Sequence, residues 1–391
     1  MNIKNCLVCG KKKLIKYLDL GKQPLANNLS KKINVSKYPL EVLYCKNCYH
    51  NQLSYEIKKE KLFSNYLYLS SQSKTLQKHF DKSAIKYIKL FGLKKNSCII
   101  DVGSNDGIAL KFYNEKNFSN TIGIEPAKNV AKIANMKGIK TINSFLNYKI
   151  SRKLNNKADL VTASNVFAHN KNIKKLAINL ISILKDNGVL IIEVQYLIAM
   201  IKKNLFDNIY HEHFHYWSVT TLNYLFSDLN CSIFKVEKID THGGSIRCYI
   251  KKNFIKKDLK IKSILRYEKK FGLHNKKLFL KFSNKLEKKK NIFKNFLLKN
   301  KGKNIVGYGA AAKTSTLLNF LEISDNIQCI IDDNKLKQDY YIPGTNIKIV
   351  SKNKINKKID YLIVFAWNYF EEIKKKIKYA NKIISIRKFL K

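Results

Sequence analysis

The chain has 391 residues, 45% of them hydrophobic, and a formal charge of +47 from 75 basic against 28 acidic residues. That length exceeds one ordinary core and predicts two or three domains. No run of about 18 uncharged apolar residues occurs, and the opening Met1-Asn2-Ile3-Lys4-Asn5-Cys6 lacks an apolar stretch before a cleavage site, so a cytoplasmic protein without a membrane span is expected.

The charge invites a nucleic-acid partner, yet arginine stands only at 152, 247, 266 and 387, and lysine is spread through every segment. Scarcity of the planar guanidinium argues against specific nucleic-acid readout, while a positive field favours a small anionic substrate such as a nucleotide diphosphate.

The first module is set by cysteine spacing. Cys6-Leu7-Val8-Cys9 and Cys45-Lys46-Asn47-Cys48 are two CxxC knuckles able to close one tetrahedral thiolate site. Four thiolates leave no open coordination position, so the site would be structural; redox dithiols or a disulfide pair are the competing readings. Cys98, Cys231, Cys248 and Cys329 sit singly in apolar runs and read as packing residues.

A Tyr/Ser-rich stretch, Tyr66 to Ser73, and a helix precede the second module. From Ser97 the pattern is strand, turn, helix, with further apolar runs at 121–125, 140–143, 159–163 and 188–194, which implies a doubly wound parallel sheet. Two late runs, 232–238 and 245–252, have no long helix between them and look like the antiparallel edge of a class I methyltransferase sheet.

The loop Asp101-x-Gly103-x-x-x-Gly107 departs from the GxGxxG that cradles a pyrophosphate. An acid ending the strand suits a cofactor with an amino-acid end and no phosphate, and Glu125, ending the next strand, is placed for ribose hydroxyls. S-adenosylmethionine fits that chemistry, with Asn105, Asn143 and Asn165 assigned to the same site; a plain tight turn is the alternative.

Residues 210–217 read Tyr-His-Glu-His-Phe-His-Tyr-Trp. Three imidazoles around one carboxylate are dense acid/base chemistry near neutrality. Only Glu212 separates His211 from His213, so the HExxH spacing of zinc peptidases is absent. A structural, hydrogen-bonded histidine cluster is the competing reading.

A Lys-rich connector, 266–299, has Phe and Leu at helical spacing and a solvated basic face. At 304 a strand restarts and runs into Gly307-Tyr308-Gly309-Ala310-Ala311-Ala312, and a second strand ends in Asp332-Asp333. GxGxxA with an acid about 20 residues on is a Rossmann fingerprint in form, which leaves a nicotinamide-dependent oxidoreductase or epimerase open. A third strand is expected over 361–366.

Taken in order, these motifs resemble the nucleotide-sugar C-methyltransferases, three-domain enzymes that place a methyl branch on a deoxysugar carbon beside a ketone. The likeness runs from the knuckles, with Leu20-Gly21 and Pro24-Leu25-Ala26-Asn27 between them, through Tyr66-x-Tyr68-x-Ser70-Ser71, Asp101 to Gly107, Asn165-Val166-Phe167-Ala168-His169 and Tyr210-His211-Glu212-His213. It continues through His242-Gly243-Gly244-Ser245-x-Arg247, Gly307 to Ala310, Pro343-Gly344-Thr345 and Ala366-Trp367-Asn368.

The resemblance implies an α/β chain with a zinc-binding domain over 1–62, an S-adenosylmethionine domain of class I Rossmann-like type over 63–265, and a second Rossmann-like domain over 266–391 that encloses the sugar nucleotide. It implies structural zinc on Cys6, Cys9, Cys45 and Cys48. His213 would be the base, Glu212 and Tyr210 would position it or the substrate, and His169 would donate to the enolate oxygen. Tyr66, Tyr68, His242, Gly244, Arg247 and Lys313 are assigned to the substrate. His215 has no counterpart in the pattern, and Ala311 and Thr314 stand where the family tends to have proline and glycine. A monomer acting on a small nucleotide sugar is expected, with neither nucleic acid nor membrane as partner; an O- or N-methyltransferase keeps the same cofactor and changes the acceptor.

Overall fold

Alternating apolar residues near the knuckles give β1 (Leu14–Pro24), β2 (Lys37–Cys45) and β3 (Asn51–Leu53), paired antiparallel in that order. The computed structural model, which describes residues 1–58, 62, 69–253 and 259–391, adds no other local strand to this small sheet. Tyr66 and Tyr68 lie outside the described residues.

The second module opens with α1 (Lys74–Phe91), capped by the Ser73 hydroxyl and stopped by Gly92 in the left-handed region. There follow β4 (Ile99–Val102), α2 (Ile108–Glu115), β5 (Thr121–Ile124), α3 (Lys128–Met136), β6 (Thr141–Ile142), α4 (Tyr148–Lys153), β7 (Ala158–Ser164), α5 (Ile173–Ile183) and β8 (Leu184–Gln195). After α6 (Leu197–Lys202) come β9 (His215–Tyr216), α7 (Val219–Ser227), β10 (Cys231–Ile239) and β11 (Ser245–Lys252). The sheet order is β10-β11-β8-β7-β4-β5-β6, with every strand running the same way except β11, which is antiparallel to both its neighbours. That is the class I methyltransferase topology expected from the late pair of strands. Strand β9 instead pairs with β3, so the histidine segment stitches the small sheet to the central module.

The basic connector forms two helices, α8 (Leu259–Phe271) and α9 (Lys276–Lys299). Gly272, at φ +102°, allows the break, and the Asn275 side chain accepts from the Lys277 N–H to restart the helix. Along α9, Phe279, Phe282, Leu286, Phe293 and Leu297 make one buried face while lysines cover the other. Phe279 packs on Tyr17 and Tyr44 of the small sheet, and Phe293 on Phe389 near the C-terminus. A helix of 24 residues is about 36 Å long, so α9 is a strut joining the first module to the third. Each ring it buries contributes about 2 kcal/mol.

The third module holds β12 (Ile305–Tyr308), α10 (Ala312–Leu321), β13 (Cys329–Ile331), β14 (Lys348–Val350), β15 (Ile359–Val364), α11 (Phe370–Lys376), β16 (Ala380–Ser385) and α12 (Arg387–Leu390). Its five strands are all parallel in the order β14-β13-β12-β15-β16. The carboxyl ends of both parallel sheets open on one cleft, where ligands bind in open α/β sheets. No helix among the described residues is long and apolar enough to cross a membrane.

Candidate active site

The four knuckle thiols come together as their spacing requires. Cys6 Sγ lies 3.5 Å from Cys48 Sγ, Cys9 Sγ 3.6 Å from Cys45 Sγ, and all four sulfurs fall within 4.8 Å of one another. Zinc–sulfur bonds of 2.3 Å in a tetrahedron place neighbouring sulfurs roughly 3.8 Å apart, so the set fits a closed Zn(Cys)4 site. All eight cysteines are free thiols, which removes the disulfide reading. Gly10 follows the first knuckle at φ +73°; Tyr49 takes the same left-handed conformation after the second, its ring stacked 3.9 Å from His274.

A cavity of about 1250 Å³ runs between the three modules. Single small-molecule pockets usually hold 300–1,000 Å³, so this one has room for two reactants. Its walls include Leu25 to Leu29 of the first module, the β4, β5 and β7 ends, the 210–213 segment, and the β12 loop.

At the β4 end Asp101 is buried, accepts a 2.5 Å bond from the Thr162 hydroxyl, and is pushed by burial up to about 7. Gly103 has φ +71°, and a Cβ there would lie 2.4 Å from Val166. Glu125 accepts from the Asn105 N–H at 2.9 Å and the Ala127 N–H at 2.8 Å, joining the glycine loop to α3. Each of its oxygens keeps a further lone pair toward the cavity. Asn165, at φ +59°, lines the same wall, with its amide 3.3 Å from His242 Nε2. An acid near each of two adjacent strand ends, beside a loop whose Gly103 has no side chain, fits a cofactor with an amino-acid end and a ribose.

Two members of the expected cofactor set sit elsewhere. Gly107, at φ +82°, opens α2 and is kept small by Ile139, whose Cδ1 would lie 2.4 Å from a Cβ. The Asn143 amide is used on the carbonyls of Glu125 and Pro126, and Ser144, Phe145 and Leu146 reach the cavity instead.

His213 Nδ1 donates to the Asn208 carbonyl at 2.7 Å, which makes Nε2 the proton-accepting atom. Burial, with His169 next, holds its pKa well below the ordinary value, so the ring is neutral at pH 7. The Tyr210 ring lies 4.0 Å from it and the His169 ring 4.7 Å, the latter edge-on. His169 is itself lowered to about 4 by burial. Glu212 is buried and raised to about 7 by burial, against the Asn27 amide that donates to its Oε1 at 2.6 Å.

The other two histidines of this segment are framework. His215 Nε2 donates to the Asn170 carbonyl at 2.9 Å, so its Nδ1 accepts from His50 Nε2 at 2.8 Å. His211 Nε2 donates to the Pro39 carbonyl. These bonds answer the open role of His215: with β9 it fastens the base-bearing segment to the small sheet.

Of the expected substrate residues, His242 and Lys313 line the cavity and Gly244 and Arg247 do not. Gly244 packs against Ala199, which would sit 2.7 Å from a Cβ. Arg247 is paired across the strands with Glu193 at 2.5 Å and donates to Ser83 at 2.6 Å, so its charge is spent inside the sheet. Lys313 Nζ is buried with no hydrogen-bond partner among the described residues, lies 4.5 Å over the Trp367 ring, and is lowered by burial. It stands in the first turn of α10, which has no side-chain cap.

The β12 loop bears on the nicotinamide reading. The Ala310 N–H, which a dinucleotide fingerprint would aim at pyrophosphate, donates to Asp332 Oδ2 at 2.7 Å. Gly309 is kept small by Ala366, 2.5 Å from its would-be Cβ, and Thr314 turns its hydroxyl onto the Gly309 carbonyl. The glycines therefore serve packing within the sheet.

Three residues had no role assigned from sequence. Asn27 meets Glu212; Asp207 accepts from Trp367 Nε1 at 2.5 Å; Gly344 packs on Pro24, 2.8 Å from its would-be Cβ. Each lies in or beside a motif, but the contacts join positions far apart in the chain.

Among known families, residues 6–63 match the model described as "Putative zinc binding domain", residues 76–236 the "Methyltransferase domain", and residues 240–384 the "C-methyltransferase C-terminal domain". The C-methyltransferase NovU of Streptomyces niveus is 28% identical over 384 residues, covering 95% of this chain and 91% of NovU. An S-adenosylmethionine-dependent methyltransferase of Clostridium acetobutylicum is similar over 46% of this chain and 92% of its own, with 15% identity and a TM-score of 0.39. Magnesium protoporphyrin IX methyltransferase of Synechocystis PCC 6803, with bound SAM, is similar over 49% and 88%, with 12% identity and a TM-score of 0.36.

Proposed function

We propose that the chain is a C-methyltransferase that moves a methyl group from S-adenosylmethionine to a ring carbon of a 4-keto nucleotide deoxysugar, with His213 as the base, a reading supported by its matches to three methyltransferase-related family models and to NovU. The observation that carries this reading is the Nδ1 bond from His213 to the Asn208 carbonyl, which leaves a neutral Nε2 lone pair in the cavity wall.

Asp101, Gly103, Asn105, Glu125 and Asn165 would hold the cofactor, which supplies an electrophilic methyl group when bound. The chain's own residues do the proton chemistry. A C–H beside a carbonyl is too weakly acidic to ionise unaided, so Nε2 of His213 takes the proton while a donor stabilises the oxygen that gains charge. His169, neutral and edge-on to the base, would become that donor by turning its single N–H from the Glu212 carbonyl to the substrate oxygen. The electron pair left on carbon would form the new carbon–carbon bond as the methyl–sulfur bond breaks and its pair stays on the then neutral sulfur, and His213 would return its proton to solvent. Tyr210 and Glu212 fix the base and the sugar beside it.

Lys313 and the uncapped first turn of α10 offer positive charge for the diphosphate. In this reading residues 1–62, 63–265 and 266–391 act as zinc-stapled, cofactor and enclosing modules, and the described walls of the cavity need no second copy.

The test is deuterium exchange at the carbon beside the ketone, in D2O without S-adenosylmethionine. The parent exchanges and His213→Ala does not; equal exchange in both would remove His213 as the base.

A further inference from the structure

The first module would be a remote staple if zinc were all it carried, but its turn after β1 reaches the acid/base segment 185 residues later in the chain. We infer that Asn27 is a positioning residue for the reaction: its side-chain amide orients Glu212 and favours the carboxylate form, so the zinc-bearing module takes part in the chemistry. The inference rests on the reading of Glu212 and His213 given above.

Three observations carry it. The bond is short, 2.6 Å from Asn27 Nδ2 to Glu212 Oε1, and Glu212 is 3% exposed. No basic side chain forms a salt bridge with Glu212 among the described residues, so the amide is the donor that meets its negative charge. A buried carboxylate with a single neutral donor is strongly sensitive to losing it.

The turn itself is fixed from two sides. Asn28 N–H donates to the Leu25 carbonyl and Leu29 N–H to the Asn27 carbonyl. Pro24 packs beneath Gly344, and Ser30 bridges to Tyr341, both of the third module. Asn27 is therefore held in place by the first and third modules together, while its amide points to the second.

The ionisable groups around Glu212 do not replace this donor. Tyr210, His211 and His213 lie on its own segment, His169 on the β7 loop, Tyr38 on β2 against His211, and Lys313 on α10. Burial holds His169 and His211 at about 4 and His213 lower still, so the three rings bring no positive charge at neutral pH. Burial and the Asn27 amide are the two influences on Glu212, in opposite directions.

The experiment is the pH dependence of substrate deuterium exchange in the parent, Asn27→Leu and Asn27→Gln, on full-length zinc-loaded protein with thermal melting recorded for each. The parent rate climbs with pH through the Glu212 ionisation. In Asn27→Leu the climb moves up by about one pH unit, about a tenfold lower rate at a fixed pH below it; Asn27→Gln, which keeps the amide, moves less.

A purely structural Asn27 would lower exchange equally at every pH and leave the climb in place, which overturns the inference while His213→Ala still abolishes exchange. If the parent itself shows no exchange, the reading of the reaction fails first and this inference with it. Should Asn27→Leu not fold, the position of the climb in Asn27→Gln and Asn27→Ser decides in the same way.

Discussion

Arg247 and Glu193 offer a sharp test of a site assignment that the sequence invites and the structure redirects. Arg247 follows a double glycine near the cleft and reads as a substrate contact, yet it is 4% exposed and sits in register with Glu193, itself 3% exposed. Its guanidinium binds Glu193 Oε1 at 2.5 Å and Ser83 at 2.6 Å and stacks 5.2 Å over Tyr87, while His79 takes the other Glu193 oxygen at 2.8 Å. Burial opposes the Glu193 charge, but His79 and Arg247 outweigh it and keep the carboxyl below its usual range.

Replacing Arg247 with methionine preserves most of the volume and leaves that carboxylate with His79 and a long 3.4 Å bond from the Tyr87 hydroxyl. Breaking one side of a buried pair costs about 3–5 kcal/mol, and the remaining His79 bond places this case at about 3. Removing both charges, in Arg247→Met with Glu193→Gln, restores part of that loss, so the double variant is more stable than Arg247→Met alone. Urea unfolding followed by tryptophan fluorescence reads the difference, since Trp217 is buried in the central module. The KM for sugar nucleotide, measured where Arg247→Met is folded, stays within about twofold of the parent because the guanidinium does not line the cavity. Unchanged stability with a KM raised about a hundredfold would refute the framework role.

Cys6→Ser removes one ligand of the thiolate set, and metal analysis should find the zinc of the parent lost together with protection of the first module from proteolysis. Acid should unfold the protein early. Burial lowers His169, His211, His215 and His242 to about 4, so each contributes stability that is complete above its unfolded value near 6.5 and is lost as pH falls toward 4. At pH 5 each ring forfeits about 2 kcal/mol. Asp101 and Glu212, raised by burial to about 7, return a similar amount each over the same window, so a net loss remains for urea midpoints at pH 7 and 5 to record. Reduced nicotinamide cofactor should give no binding signal, since Asp332 already occupies the Ala310 N–H; saturable fluorescence transfer from Trp367 would contradict that.

Much of the fold was legible because local pattern decides it. The run 245–252 is β11 to the residue, and the acids at 101 and 125 fall near the end of β4 and just after β5, where both line the cleft. The knuckles were legible because each pair of ligands is only three positions apart in the chain. What stayed hidden is set by register and docking. Nothing near Arg247 reveals that β8 brings Glu193 opposite it, and no local signal joins Asn27 to Glu212 or His50 to His215. The GxGxxA loop misleads because a glycine excluded by Ala366 leaves the same letters as one excluded by a phosphate.

The central claim is carbon methylation, and locating the new methyl group tests it most directly. Purified protein is incubated with S-adenosylmethionine and a panel of 4-keto nucleotide deoxysugars, and the product is read by mass spectrometry and carbon–proton correlation NMR. One added methyl bonded to a ring carbon beside the ketone, formed by the parent and not by His213→Ala, is the predicted result. A methyl on oxygen or nitrogen, or a carbon methyl formed equally well without His213, would contradict it.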